Sequence, residues 1–374
     1  MNTQAPAHIA IKRPRDTVSR DCGPEGCQID WLSSRREEVE LDVMEFTKRS
    51  MELGWGDGLP LIPPTEGRVR GFLAANNYFP DQVVALLPPM RSECTIEKIA
   101  INAVMAGAPP ESLPLLVAAV EAIASPNFEL AGLNATTASV VPLLLVNGPI
   151  RDKLDIPYKH GCLGGAASTV TAIGRALRLI IRNVAGQIIG VTSQSTFGSP
   201  GRVAGIVFGE WEERSPWAPL AERRGVKGNA VTAYGTNGTM NIIDTTSQKG
   251  PEFLEMIGKS MAYHGANGFS PAVPFAEILV AVNPIWADII HRDVPKLEDV
   301  QELLWKHASL PASALVHQHR EQLEKLGRIH PNGRTYLATA PKDVLLVTCG
   351  GTGSLHAAAF HSWGTCITTT AAID

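Results

Sequence analysis

Three things are scarce in this 374-residue sequence: cysteine, an excess of either charge, and long apolar runs. Lys and Arg number 33 against 37 Asp and Glu, a formal net charge of −4, with no long block of one sign. A protein that grips nucleic acid irrespective of sequence needs a concentrated basic footprint, and none is visible. The longest apolar run, Leu113 to Ala124, is interrupted by Pro114 and Glu121 and falls well short of the ~20 residues of a membrane span. The N-terminus lacks the charged start, apolar stretch and small-residue cleavage site of a secretory signal. A cytoplasmic protein without nucleic-acid or membrane partners is therefore expected. The cysteines, Cys22, Cys27, Cys94, Cys162, Cys349 and Cys366, are too few and too scattered for a disulfide scaffold. In a reducing compartment each is a small buried hydrophobe or a reactive thiol. There is no His-Glu-x-x-His and no paired Cys-x2-Cys, and His317-x-His319 lies in a charged segment. No metal is expected.

What is present is the composition of a soluble enzyme-sized protein, 44% hydrophobic and 19% charged. At roughly 150 residues per domain the length suggests two domains or one large one. Residues 1 to 32 read as a flexible arm: a basic Lys12-Arg13-Pro14-Arg15 cluster without periodicity, then Cys22-Gly-Pro-Glu-Gly-Cys27, whose Gly and Pro force a turn. A helix is expected from about Ser33 to Leu53, stopped by Gly54. Further helices are expected over Thr95–Ala106, Glu111–Ala124, Ser168–Val184, Pro251–Tyr263 and Val300–His307. Val140 to Val146 and Val344 to Thr348 read as buried strands, and residues 186 to 245 as short strands between Gly and Pro breaks.

One internal echo stands out. Leu144-Leu-Val-Asn-Gly-Pro-Ile-Arg-Asp-Lys-Leu154 matches Val280-Ala-Val-Asn-Pro-Ile-Trp-Ala-Asp-Ile-Ile290, each an apolar strand, an Asn-Pro-Ile turn and a helical segment. The two units lie about 135 residues apart, beyond solenoid periods, which points to a duplication. The expected fold is α/β, with two pseudo-related strand–turn–helix halves (33–190 and 191–374), additional short strands and an N-terminal helical arm. A ligand would bind in the cleft between the halves.

Four groups of residues carry chemistry. In His160-Gly-Cys-Leu-Gly-Gly-Ala-Ala-Ser168, Cys162 precedes a helix whose N-terminal dipole and free N–H groups lower a thiol's pKa, with His160 beside it as acid or base. Gly164, Gly165 and Ser168 would bind an anion. In Val347-Thr-Cys-Gly-Gly-Thr-Gly-Ser-Leu-His356, Cys349 ends a strand, where α/β proteins place active sites. Gly350, Gly351, Gly353 and Ser354 would cradle an anion, and His356 and His361 would follow on an Ala-rich helix. The spacing departs from a dinucleotide fingerprint and no Lys-Ser/Thr completes a P-loop, so no cofactor is expected. Cys22 and Cys27 form a candidate redox pair, although without the two-residue spacing of common redox motifs. Asp57, flanked by glycines in Trp55-Gly-Asp-Gly-Leu-Pro60, is a candidate acid/base or simply a turn former.

Those strings, together with Pro63-Pro64, Glu97-Lys-Ile-Ala-Ile-Asn-Ala-Val-Met-Ala-Gly107, Val146-Asn-Gly-Pro-Ile150, Ile173-Gly-Arg-Ala-Leu-Arg-Leu179, Ser215-Pro-Trp217 and Gly350-Gly-Thr-Gly353 with His356, resemble a poorly characterised bacterial family associated with UGSC-motif selenoproteins and thiol proteins. The resemblance spans residues 50 to 365 and implies thiol or selenol chemistry. The sequence departs from the family in carrying Cys162 and Cys349 and in a longer gap between Gly353 and His356.

The expected function is a thiol-dependent enzyme, an oxidoreductase or lyase, acting on a small anionic or soft electrophilic substrate. Cys162 or Cys349 would be the nucleophile and His160 or His356 the acid/base. Alternatives are acid/base catalysis by Asp57 with a histidine, or non-catalytic binding of a small anion. A thiol reductant protein is an expected partner, and a homo-oligomer is expected.

Overall fold

The computed structural model describes residues 32–39 and 42–374. Cys22 and Cys27 therefore lie outside the described residues. The strands are β1 (Val83–Leu87), β2 (Ser92–Thr95), β3 (Val141–Asn147), β4 (Ile206–Gly209), β5 (Ala230–Thr236), β6 (Met240–Ile243), β7 (Ile278–Val282), β8 (Ser309–Pro311), β9 (Arg334–Tyr336), β10 (Val344–Thr348), β11 (His356–His361) and β12 (Thr369–Ala372). With helices between them they make an α/β fold.

Two four-stranded mixed sheets organise the molecule, in the orders β12-β5-β3-β4 and β10-β7-β11-β6. In the first, β3 runs parallel to β4 and antiparallel to β5, which pairs antiparallel with β12. In the second, β7 runs parallel to β10 and antiparallel to β11, which pairs antiparallel with β6. The sheets are thus copies of one pattern, and the sequence echo falls on equivalent strands, β3 and β7. In each copy the last strand crosses over: β6 leaves β5 to join the second sheet, and β12 leaves β11 to join the first. A cut at residue 190 does not match this pattern. It separates β3 from its hydrogen-bonded neighbour β4, and three of the first sheet's four strands come from after it.

Strand alternation divides the core into layers. Leu143 and Leu145 of β3 meet Leu279 and Ala281 of β7, Leu345 and Val347 of β10, Phe208 of β4 and Phe360 of β11 between the sheets. The Phe208 and Phe360 rings stack with centroids 5.7 Å apart. Leu144 and Val146 point the other way, into a core shared with helices Ile96–Ala106, Leu113–Ala124 and Val170–Asn183. Val280 and Val282 likewise pack against helices Gly250–Met261, Pro284–Asp293 and Leu297–His307. Helices, sheet, sheet and helices therefore form four layers.

Two expected helices are corrected. The first helix spans only Val43–Glu52, capped by the Asp42 carboxylate, which accepts from the N–H groups of Met44 and Glu45. Ser33 and Ser34 instead donate to the Glu97 carboxylate, which competes with a helical path there. The Ala-rich segment after Gly353 is strand β11, not a helix. Its small Ala357, Ala358 and Ala359 fit a central strand flanked by β7 and β6, so tertiary pairing overrides alanine's helix propensity.

Candidate functional site

A cavity of about 490 Å³ opens at the carboxyl ends of β7 and β10, lined by the loop around Cys162, the β10–β11 loop and the start of β11. That size suits a small molecule. The two glycine-rich strings picked out from the sequence meet here: His160, Cys162, Gly164, Cys349, Gly350, Gly351, Gly353, Ser354 and His356 all line it. Asn241 and Asn283 line it as well and were not expected. Asn283 lay in plain view inside the Val280–Ile290 echo, where its turn-forming role masked its position.

The Cys162 loop is stitched to both sheets. Pro157 accepts from the Gly209 N–H at the end of β4, and Tyr158 from the Gly350 N–H just past β10, each at about 3 Å (3.0 and 2.9 Å). Within the loop the Cys162 N–H donates to Lys159 and the Gly164 N–H to Gly161, giving the tight turn that puts the Cys162 sulfur inward. On the opposite wall, Gly350 adopts φ 89°, which turns the chain sharply after Cys349. At Gly351 the absence of a side chain is a packing requirement: a Cβ there would lie 2.2 Å from the His160 ring. Asn283 is fixed from both sides. Its Oδ1 accepts from the Trp286 N–H, and its Nδ2 donates to the His356 carbonyl, 2.9 Å away.

Cys162 and Cys349 are 5% and 4% exposed, belong to the same buried cluster between the sheets and both line the cavity. The neighbouring Cys349 thiol holds Cys162 below the ordinary thiol range against the opposing effect of burial, with further support from backbone N–H groups of its own loop. Cys349 moves the other way: the neighbouring Cys162 thiol, burial and the charges of Cys162 and Glu210 raise it well above that range. The two thiols are thus pushed in opposite directions, Cys162 toward the thiolate and Cys349 toward the protonated form. The source of the field differs from the expected one. The helix after the loop begins only at Val170, eight residues past Cys162. Backbone amides and the second thiol replace the helix dipole.

The N–H groups of Gly351, Thr352, Gly353 and Ser354 donate to no acceptor among the described residues, so they remain available to an anion at the cavity wall. Other expected site residues fall elsewhere. Gly165 and Ser168 are not in the lining, and the Ser168 hydroxyl accepts from the Val170 N–H. Asp57 is engaged by Arg175 through two bonds of 2.7 and 2.8 Å, and Arg175 also donates to the carbonyls of Leu59 and Pro60. Burial works to raise the Asp57 carboxyl, yet the Arg175 hydrogen bond and charge leave it below its ordinary value. Its role is to brace the Gly/Pro loop against helix Val170–Asn183. His361 is buried in β11, bonded to the Met261 carbonyl. Cys94 is a core residue whose thiol burial pushes up to about 12, and Cys366 is buried against the Phe128 carbonyl.

Among the described residues no group of three or more His, Cys, Asp or Glu is arranged to hold a metal ion, and no single helix is long and apolar enough to cross a membrane. No protein-family model matches the chain, and no curated protein matches it.

Proposed function

We propose that this chain is a thiol-dependent enzyme, an oxidoreductase or lyase, that binds a small anionic or soft electrophilic substrate in the cavity between its two sheets. Cys162 is the nucleophile. Cys349 holds the proton and supplies the second sulfur, His160 and His356 are the acid/base groups at the rim, and the free amides from Gly351 to Ser354 hold negative charge. The observation that carries this reading is that Cys162 and Cys349, from segments far apart in sequence, line the same cavity. Both thiols pack in the apolar cluster between the sheets, but unlike Cys94 they also line the cavity, beside a stretch of unengaged amides. The resemblance to the UGSC-associated family points to the same chemistry. Cys22 and Cys27, or a separate thiol reductant protein, would return an oxidised site to its starting state.

The test is iodoacetamide labelling against pH, with the labelled peptides mapped. Cys162 is expected to react with a midpoint below that of an ordinary thiol and faster at pH 7 than the other cysteines, and Cys162→Ser removes the fast phase. Uniformly slow labelling of all cysteines sinks the reading. Acid/base catalysis by Asp57 predicts instead that Asp57→Asn abolishes turnover. Here the same change costs about 3 kcal/mol of stability, the loss of one partner of a nearly buried pair, and leaves Cys162 labelling unchanged. The Asp57 contribution is present above its ordinary value of 3.8 and fades as pH falls through its lowered folded value, so the stability gap between wild type and variant closes in acid.

A further inference from the structure

We propose that Cys162 and Cys349 form a two-electron dithiol couple that reduces small carboxylate-bearing disulfides within this cavity. The inference rests on the thiol-dependent reading above and narrows it from redox or carbon–heteroatom chemistry to one reaction.

The second thiol separates the two chemistries. Cleavage of a carbon–heteroatom bond by a nucleophilic cysteine needs an acid or base beside the sulfur, a part an imidazole fills. A second sulfur on the same cavity wall adds something a base does not: it intercepts any sulfur–sulfur adduct formed on the first. Both sulfurs belong to backbone that is held firmly. Cys349 comes directly after the buried edge strand β10, its N–H bonded to Val282, and Cys162 sits in a turn whose flank is bonded to Gly350. The backbone bonds therefore hold the two segments side by side at the cavity. The duplicated sheets add an independent contrast. Extending the register of β7 with β10 by one residue sets Cys349 level with Asn283, as extending that of β3 with β4 sets Glu210 level with Asn147. Glu210 is fully enclosed and its Oε2 is taken by Asn147 and Leu220. At the same place in the other copy stands a thiol facing an opening.

In the first step the Cys162 thiolate attacks one sulfur of R–S–S–R′, forming Cys162–S–S–R and expelling R′S⁻, which takes the proton from Cys349. The freed Cys349 thiolate attacks the Cys162 sulfur, forms the Cys162–Cys349 disulfide and expels RS⁻, protonated by water. Two electrons pass from the protein to the substrate, and an external dithiol restores the pair. Carboxylates on R and R′ meet the amides of Gly351 to Ser354.

The experiment uses the reduced full-length chain and limiting 3,3′-dithiodipropionate. Expected are two equivalents of mercaptopropionate per disulfide consumed and a cross-linked Cys162–Cys349 peptide by mass spectrometry. Cys349→Ser should release one equivalent and keep the other as an adduct on Cys162, a readout of the trapped intermediate that is independent of turnover. The neutral bis(2-hydroxyethyl) disulfide should react about tenfold more slowly, the effect of one charge-assisted hydrogen bond. A stable adduct on wild-type Cys162 without the cross-link, or release of both equivalents by Cys349→Ser, overturns the couple. Fast alkylation of Cys162 together with inertness to both disulfides overturns this inference while the thiol-dependent reading stands. Slow alkylation removes both.

Discussion

The two copies of the sheet pattern end differently. At the carboxyl ends of β3 and β4 the space is filled: Asn147 donates to the carboxylates of Glu210 and Glu212, the Leu220 N–H donates to Glu210, and Arg151 spans the group through Gly148, the Glu210 carbonyl and Glu213. At the carboxyl ends of β7 and β10 the equivalent asparagine is bound only to backbone, and the residue level with it is Cys349 at a cavity. One architecture thus yields a sealed polar knot and an open thiol site. The difference lies in the segment that leaves each parallel strand. After β4 the chain turns back through Glu212–Arg214 and fills its own end. After β10 a run of glycines carries it away with amides left free.

If the sealed end is a source of stability and the open end a source of reactivity, substitutions should separate the two. The largest effect is expected from Arg151→Met. The Arg151 side chain is 2% exposed and ion-paired to Glu213 at 2.6 Å, and its removal strands buried acceptors at a cost of about 4 kcal/mol. Denaturant unfolding measures the loss, and Cys162 labelling should keep its pH midpoint. If thiol reactivity vanishes while the fold stays intact, the separation fails. A smaller effect is expected from Gly351→Ala at the open end. The added Cβ drives the exposed His160 ring out of the cavity, so disulfide reduction slows severalfold while the melting temperature stays within about 2 °C. The smallest is Glu210→Gln. Burial raises the Glu210 carboxyl, so the stability its protonated form contributes is complete below its unfolded value of 4.5 and is lost as pH rises through the folded value. The amide removes that pH-dependent fall, visible as a flatter profile of melting temperature against pH, and takes away one of the charges that keep Cys349 protonated.

Much of the scaffold was legible from local patterns. Strand Val344–Thr348 coincides with its apolar run, and helices 96–106 and 113–124 match their caps and periodicity within a residue or two. The Leu144 and Val280 strings mark equivalent strands. Where local patterns misled, the cause was nonlocal. Ala357 to Ala359 are good helix formers and became a strand because β7 and β6 flank them. Ser33 and Ser34 were drawn from a helix by Glu97, over sixty residues away. Asp57 looked free because Arg175 stands 118 residues later. Glu210 carried no motif at all, and only its register with Asn147 gives it meaning.

The order of residues fixed the duplicated strand–turn–helix units, the glycines on either side of each cysteine and the lack of one-sided charge, since these depend on neighbours along the chain and on composition. That Cys162 and Cys349 line one cavity, that their thiols are pushed in opposite directions, and that the second copy's end stays open while the first is filled were settled by packing. Those properties depend on distances between segments far apart in sequence and on the exclusion of water around two sulfurs, and both arise only once the sheets close on each other.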